Sequence, residues 1–89
     1  MILEILYANK IVKYKISWIH AHTITGDISV YPHHEPLIVP LKNNQPLIIH
    51  SKKNVQESIN LRNGIMEILP NKIVVITRMA YEKTDWPNS

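Results

Sequence analysis

The stretch GDISVYPHHEPLIVPL, from Gly26 to Leu41, decides how this chain is read. Gly26 opens it at a turn, and Asp27 to Tyr31 alternates polar and apolar residues as a half-buried strand does. Pro32 and Pro36 then frame a polar corner, His33-His34-Glu35, before an apolar run from Leu37 to Leu41. Proline lacks an N–H to give a ladder, so prolines at this spacing mark strand ends and not the inside of a sheet or helix. Two short strands around a proline corner point to an all-β chain.

Working outward from this corner, the same grammar repeats. Ile2 to Tyr7 predicts a first strand, with Ala8-Asn9-Lys10 as its turn. Ile11 to His22 predicts one long second strand. Val12, Tyr14, Ile16, Trp18, His20 and His22 share one of its faces, and Ile11, Lys13, Lys15, Ser17, Ile19 and Ala21 share the other. Lys42-Asn43-Asn44-Gln45 reads as a polar hairpin connection into Leu47 to His50, and Lys52-Lys53-Asn54 as the next turn. Val55 to Arg62 alternates again, with Val55, Glu57, Ile59 and Leu61 on one side. Asn63-Gly64 is expected to supply the positive-φ residues of a tight turn into Ile65 to Leu69. Pro70-Asn71 then leads into Lys72 to Thr77, the strongest strand pattern of the chain, and Tyr81 to Ser89 carries no helical periodicity. Turn signals at this spacing predict an all-β fold, a flattened antiparallel β-sandwich of about 8–10 short strands. Residues 1–86 form one domain in this reading, and 87–89 a tail.

Composition agrees with one small folded unit. The chain has 89 residues, 45% apolar and 19% charged, which is enough to build a core of marginal stability, about 4–13 kcal/mol. There is no cysteine, so disulfides and thiolate metal sites are excluded. No apolar run approaches a membrane span, and the start of the chain shows neither a signal-peptide nor a transit-peptide pattern. The net charge of +3 is compatible with a solvated surface; a nucleic-acid-binding barrel using lysines such as Lys13 and Lys15 is the reading it leaves open. On a strand's polar face those lysines also discourage edge-to-edge pairing. The six aromatic residues, Tyr7, Tyr14, Trp18, Tyr31, Tyr81 and Trp86, form no stacking cluster in sequence.

Catalytic chemistry finds little purchase. No serine sits in a strand-to-helix elbow, the seven carboxylates form no pair spaced for acid–base work, and Gly26 and Gly64 are too far apart for a phosphate loop. Histidine is the exception: His20 and His22 stand two residues apart on one strand face, and His34 lies in the proline corner. A zinc or iron site needs three or four converging ligands. A small metal-binding, cupin-like β-barrel using His20, His22 and His34 is therefore the alternative reading. It lacks the glutamate that a cupin carries shortly after its His-x-His, since none occurs from Thr23 to Gly26.

Gly26, Val30, Tyr31, Pro32, His34, Pro36 and Leu37 stand in register with a pattern running roughly G-x-x-G-I/V-x-P-x-H-x-P-L-L. Gly64, Glu67, Asn71, the apolar run Ile73 to Ile76 and Ala80 follow a second pattern at matching distance. With both in order, the chain resembles the N-terminal β-sandwich of the epsilon subunit of rotary (F-type) ATP synthases. Ser29, His33 and Asn63 stand where that family commonly has glycine, and Glu35 adds a charge where alanine is common.

The resemblance implies a non-catalytic central-stalk subunit that links the gamma subunit to the ring of membrane c subunits and couples ion movement to ATP synthesis or hydrolysis. It implies no cofactor and no nucleic-acid partner. Carried over by position, Asp27, His33, His34 and Glu35 would face the c-ring, and Ile38 and Ile65 would touch gamma, with a core position as the plain alternative for those two isoleucines. The implied location is the cytoplasmic face of a bacterial plasma membrane, as a peripheral subunit, or else the stromal side of a plastid thylakoid. Typical members continue into a C-terminal helical hairpin that binds ATP in some cases and brakes hydrolysis. The resemblance here covers the sandwich alone, so neither nucleotide binding nor an inhibitory plug is expected of this chain.

Overall fold

The computed structural model describes residues 1–51 and 55–82. Among these residues, ten strands lie in two five-stranded sheets packed face to face. In chain order they are β1 (Ile2–Tyr7), β2 (Lys10–Lys15), β3 (Trp18–Thr23), β4 (Gly26–Val30), β5 (Leu37–Pro40), β6 (Pro46–His50), β7 (Gln56–Arg62), β8 (Ile65–Leu69), β9 (Lys72–Ile76) and β10 (Met79–Glu82). The first sheet has the order β2-β1-β9-β8-β5 and the second β10-β7-β6-β3-β4. Every pairing is antiparallel except β1 with β9, which run parallel. No helix of the described residues is long and apolar enough to cross a membrane.

The core is the set of inward positions on both sheets. Leu3, Ile5, Met66, Ile68, Ile73 and Val75 from the first sheet meet Ile19, Ala21, Val30, Leu47, Ile49, Ile59 and Leu61 from the second, all essentially buried. Each fully buried large side chain contributes about 1.5–3 kcal/mol relative to leaving it in water.

The long second strand expected from Ile11 to His22 is two strands in different sheets. Ile16 N–H still donates to Met1 O in the first sheet (3.0 Å), and the next amide, Ser17 N–H, already donates to His50 O in the second (2.6 Å). Crossing the core inverts the alternation. Val12 and Tyr14 are half-buried on the inner face of β2 and Ile16 is buried, whereas in β3 the inward residues are Ile19, Ala21 and Thr23. Trp18, His20 and His22 therefore point outward. The chain makes the same crossing at Thr77, whose N–H bonds Leu6 O (3.0 Å), and Arg78, whose N–H bonds Arg62 O (3.1 Å).

Other local expectations shift in the same way. The 42–45 segment is not a hairpin, because β5 and β6 lie in different sheets; its backbone is held by Lys42 N–H to His22 O (2.8 Å) and Asn44 N–H to Leu61 O (3.2 Å). At 63–64 only Asn63 has positive φ (54°). At Gly64 the constraint is space instead: a β-carbon there would lie 3.1 Å from Leu41 Cδ1, so the leucine side chain would have to give by a few tenths of an ångström. Of the three family-glycine positions, His33 (φ 68°) and Asn63 adopt left-handed backbone, while Ser29 sits in extended β4. The Tyr81 end belongs to β10, a strand paired with β7 that the sequence did not announce. The Lys52-Lys53-Asn54 turn, Trp86 and the 87–89 tail lie outside the described residues.

Candidate functional site

The outward faces of the two sheets differ in chemistry. On the first sheet, strand register sets Pro40 beside Ile65, Ile65 beside Ile76, Ile76 beside Leu6 and Leu6 beside Ile11. A continuous apolar row thus crosses all five strands at one end of the sheet. Ile11 is 60% exposed, Ile65 50% and Ile76 58%. Ile38, 67% exposed on edge strand β5, sits next to the row and opposite Glu67. A contiguous exposed apolar surface of this kind on a small domain is a candidate interaction site. The neighbouring row turns polar: Glu4 bridges Lys72 (3.2 Å) and Lys13 (3.7 Å). Lys13 is thereby partly committed within the sheet, which weakens the nucleic-acid reading. β2 is indeed an edge strand, as its lysines suggested.

The second sheet presents rings and hydrogen-bonding groups. Trp18 stacks on His50 at 3.7 Å between centroids and on Tyr31 at 5.4 Å, so the aromatic cluster that sequence spacing denied does form across β6, β3 and the end of β4. Farther along β3, the register faces His20 to Ser29 and His22 to Asp27. His20 Nδ1 lies 2.9 Å from Ser29 Oγ, and His22 Nδ1 lies 2.7 Å from Asp27 Oδ1. His20 Nε2 reaches Asp27 Oδ2 at 3.7 Å, and the two imidazoles meet edge to face at 5.3 Å. The hydrogen bond from His22 holds the Asp27 carboxyl below its ordinary 3.8 against an opposing push from desolvation; the charges of His22 and His20 and a weaker His20 hydrogen bond add to the fall.

The Thr23–Gly26 turn fixes this register. Thr23 Oγ1 donates to Gly26 O (2.5 Å) and accepts from Thr25 N–H (3.2 Å), and Gly26 has φ 127°, a backbone open only to glycine.

The residues singled out in the sequence are thus separated into groups. Asp27 is on strand β4, as its alternation predicted, and its side chain is 58% exposed. His33, His34 and Glu35 follow the far end of the same strand, where His33 N–H donates to Pro70 O (2.6 Å) and His34 Nδ1–H to Glu35 O (2.7 Å). The metal trio of the alternative reading does not assemble. Among the described residues the convergent group is His20, His22 and Asp27, with Asp27 in the place given to His34. Ile38 and Ile65 are surface residues, so the core position weighed for them is excluded. Ile11, Ile76, Leu6 and Pro40 were missed. For Pro40 and Ile76 the signal was available in LIVP and KIVVI, runs apolar on both faces of a strand, which need cover on both sides.

The family model for "ATP synthase, Delta/Epsilon chain, beta-sandwich domain" matches residues 1–83. The chain is 33% identical over 85 residues to an ATP synthase epsilon chain of Herpetosiphon aurantiacus, covering 93% of this chain and 60% of that one. It is 31% identical over 84 residues to the ATP synthase epsilon chain of a Roseiflexus species, covering 93% and 58%. It therefore spans about 60% of the length of these relatives. Among solved structures, a chain in the Euglena gracilis mitochondrial ATP synthase (OSCP/F1/c-ring, rotational state 1) superposes with TM-score 0.86 at 13% identity, covering 97% of this chain and 55% of that one. A chain in the central stalk/c-ring structure of the Tetrahymena thermophila mitochondrial enzyme gives 0.74 at 14% identity, covering 94% and 67%. At such identities these two likenesses establish the fold alone.

Proposed function

The chain belongs to the ATP synthase Delta/Epsilon β-sandwich family, and from that premise we propose that it is a non-catalytic rotor subunit, seated between the gamma subunit and the c-ring of a rotary ATP synthase. In this role it transmits rotation between the ion-driven ring and the catalytic head, and its location is peripheral to the membrane that holds the ring, on the cytoplasmic side in a bacterium or the stromal side in a plastid.

The observation that carries the proposal is the apolar row Pro40–Ile65–Ile76–Leu6–Ile11 with Ile38 at its margin. A part under torque needs a contact that does not slip, and close-packed apolar surface with charge kept to the rim supplies one. Gamma is assigned to this face. The ring is assigned to the exposed edge of the second sheet, where Asp27 on β4 and His33, His34 and Glu35 beyond its end lie along one margin. Charged and polar groups on such a rim set register and association rate more than affinity, which suits a ring of repeated polar loops.

The test is reconstitution. Mixed with purified gamma subunit, the chain should elute as a one-to-one complex by size exclusion with light scattering, and that complex should capture detergent-solubilised c-ring. A chain that stays free of gamma at micromolar concentrations would sink the reading.

A further inference from the structure

We propose that His20, His22 and Asp27 form a binding site for a divalent transition-metal cation such as Zn2+ on the outer face of the β3–β4 hairpin. β3 places the two imidazoles two residues apart on one face, and the antiparallel register brings Asp27 directly opposite His22. One donor atom from each residue lies within 4.8 Å of the other two. Tetrahedral zinc with bonds of about 2.0–2.2 Å sets its donors roughly 3.4 Å apart. The separations of 2.7 Å from His22 Nδ1 and 3.7 Å from His20 Nε2 to the carboxylate oxygens bracket that value. Small side-chain rotations on this open face close the difference.

The supporting shell is present as well. In the tautomer whose Nδ1–H donates to Ser29 Oγ at 2.9 Å, the Nε2 of His20, which faces Asp27, has a lone pair to offer a cation. Metal-binding histidines commonly carry such a partner on the second nitrogen, which fixes tautomer and ring orientation. The cation replaces the proton shared by His22 Nδ1 and Asp27 Oδ1, and that proton passes to solvent. Two neutral imidazoles and one carboxylate then neutralise one of its two charges, and water fills the fourth position. Imidazole nitrogens favour zinc, copper or nickel, whereas magnesium and calcium seek all-oxygen shells. The three ligands come from a single hairpin, so the site needs no partner subunit to form.

Calorimetric titration of ZnCl2 into the full chain, paired with NMR of the histidine rings, tests the site. One equivalent should saturate, with ring shifts confined to His20 and His22, and MgCl2 at the same concentration should give none. His22→Ala and Asp27→Asn should each weaken binding at least about tenfold, and Ser29→Ala, which removes only the orienting partner, about tenfold. His34→Ala should bind as the unaltered chain does. The ring shifts of the unaltered chain report on the ligands even if a variant misfolds. Absence of saturable heat, shifts at His33, His34 or His50, or undiminished binding by His20→Ala/His22→Ala would overturn the proposal.

Discussion

The outward face of the first sheet and the outward face of the second are built on the same plan and finished with opposite materials. Both alternate with period two above a shared core, and both are crossed by ladders of side chains in strict register. On the first, the outward rungs are isoleucine, leucine and proline at one end and a lysine–glutamate–lysine bridge next to it. On the second, they are tryptophan, histidine, serine and aspartate joined by stacking and hydrogen bonds. The contrast teaches that the inward half of a sandwich specifies the fold, and the outward half is free to specialise. One face has surplus apolar area left exposed; the other joins its polar groups to one another by stacking and hydrogen bonds.

The strongest way to break this contrast is to charge the apolar row. Ile11→Asp with Ile65→Asp, two rungs of the row that are not cross-strand neighbours, should weaken gamma binding by at least about 2 kcal/mol, as for central interface anchors, while thermal unfolding changes far less than for a core substitution because both side chains are already half or more exposed. If the double variant bound gamma normally, the assignment of this face would be wrong. Next in size is Gly26→Ala, which forces a side chain into a backbone conformation at φ 127° and should cost about 1–3 kcal/mol in denaturant unfolding. Its effect should reach the second face selectively, loosening the His22–Asp27 pair that the turn holds in register and leaving gamma binding intact. Smaller again, Asp27→Ala with His34→Ala should reduce c-ring capture but leave the melting temperature nearly unchanged, since the hydrogen bonds removed are exposed. A large drop in melting temperature would show that these side chains support the fold rather than the rim.

The smallest expected effect is in titration. The Asp27 carboxyl sits below 3.8 when folded because His22 donates to it. A group depressed in this way stabilises the fold fully above its unfolded value and loses that contribution as pH falls through the folded value. Carbon-13 NMR of the carboxyl should therefore place its midpoint below 3.8, and His22→Ala should move it upward.

Much of the fold was legible from local pattern. The extents of β1, β4, β5, β6, β8 and β9 follow from alternation, prolines and turn residues, because those signals act over a few residues of backbone. The break of the 11–22 run was not legible. Ile16-Ser17 carries no glycine or proline, and the strand changes sheet only because successive amides find acceptors in Met1 and His50, residues remote in sequence. That one crossing reverses which face is buried and so turns His20 and His22 toward Asp27. β10 was missed for a related reason: its partner is the edge of β7, and nothing in its own composition demands pairing.

By itself the sequence determined the period-two code, the turn positions and the amount of apolar side chain, and these are enough for a sandwich of short strands and for its family. The tertiary structure alone decided which apolar residues from five strands share one row, and which carboxylate stands beside the two imidazoles. Register is set by hydrogen bonds between segments far apart along the chain, and a shift of one residue would send every outward side chain inward.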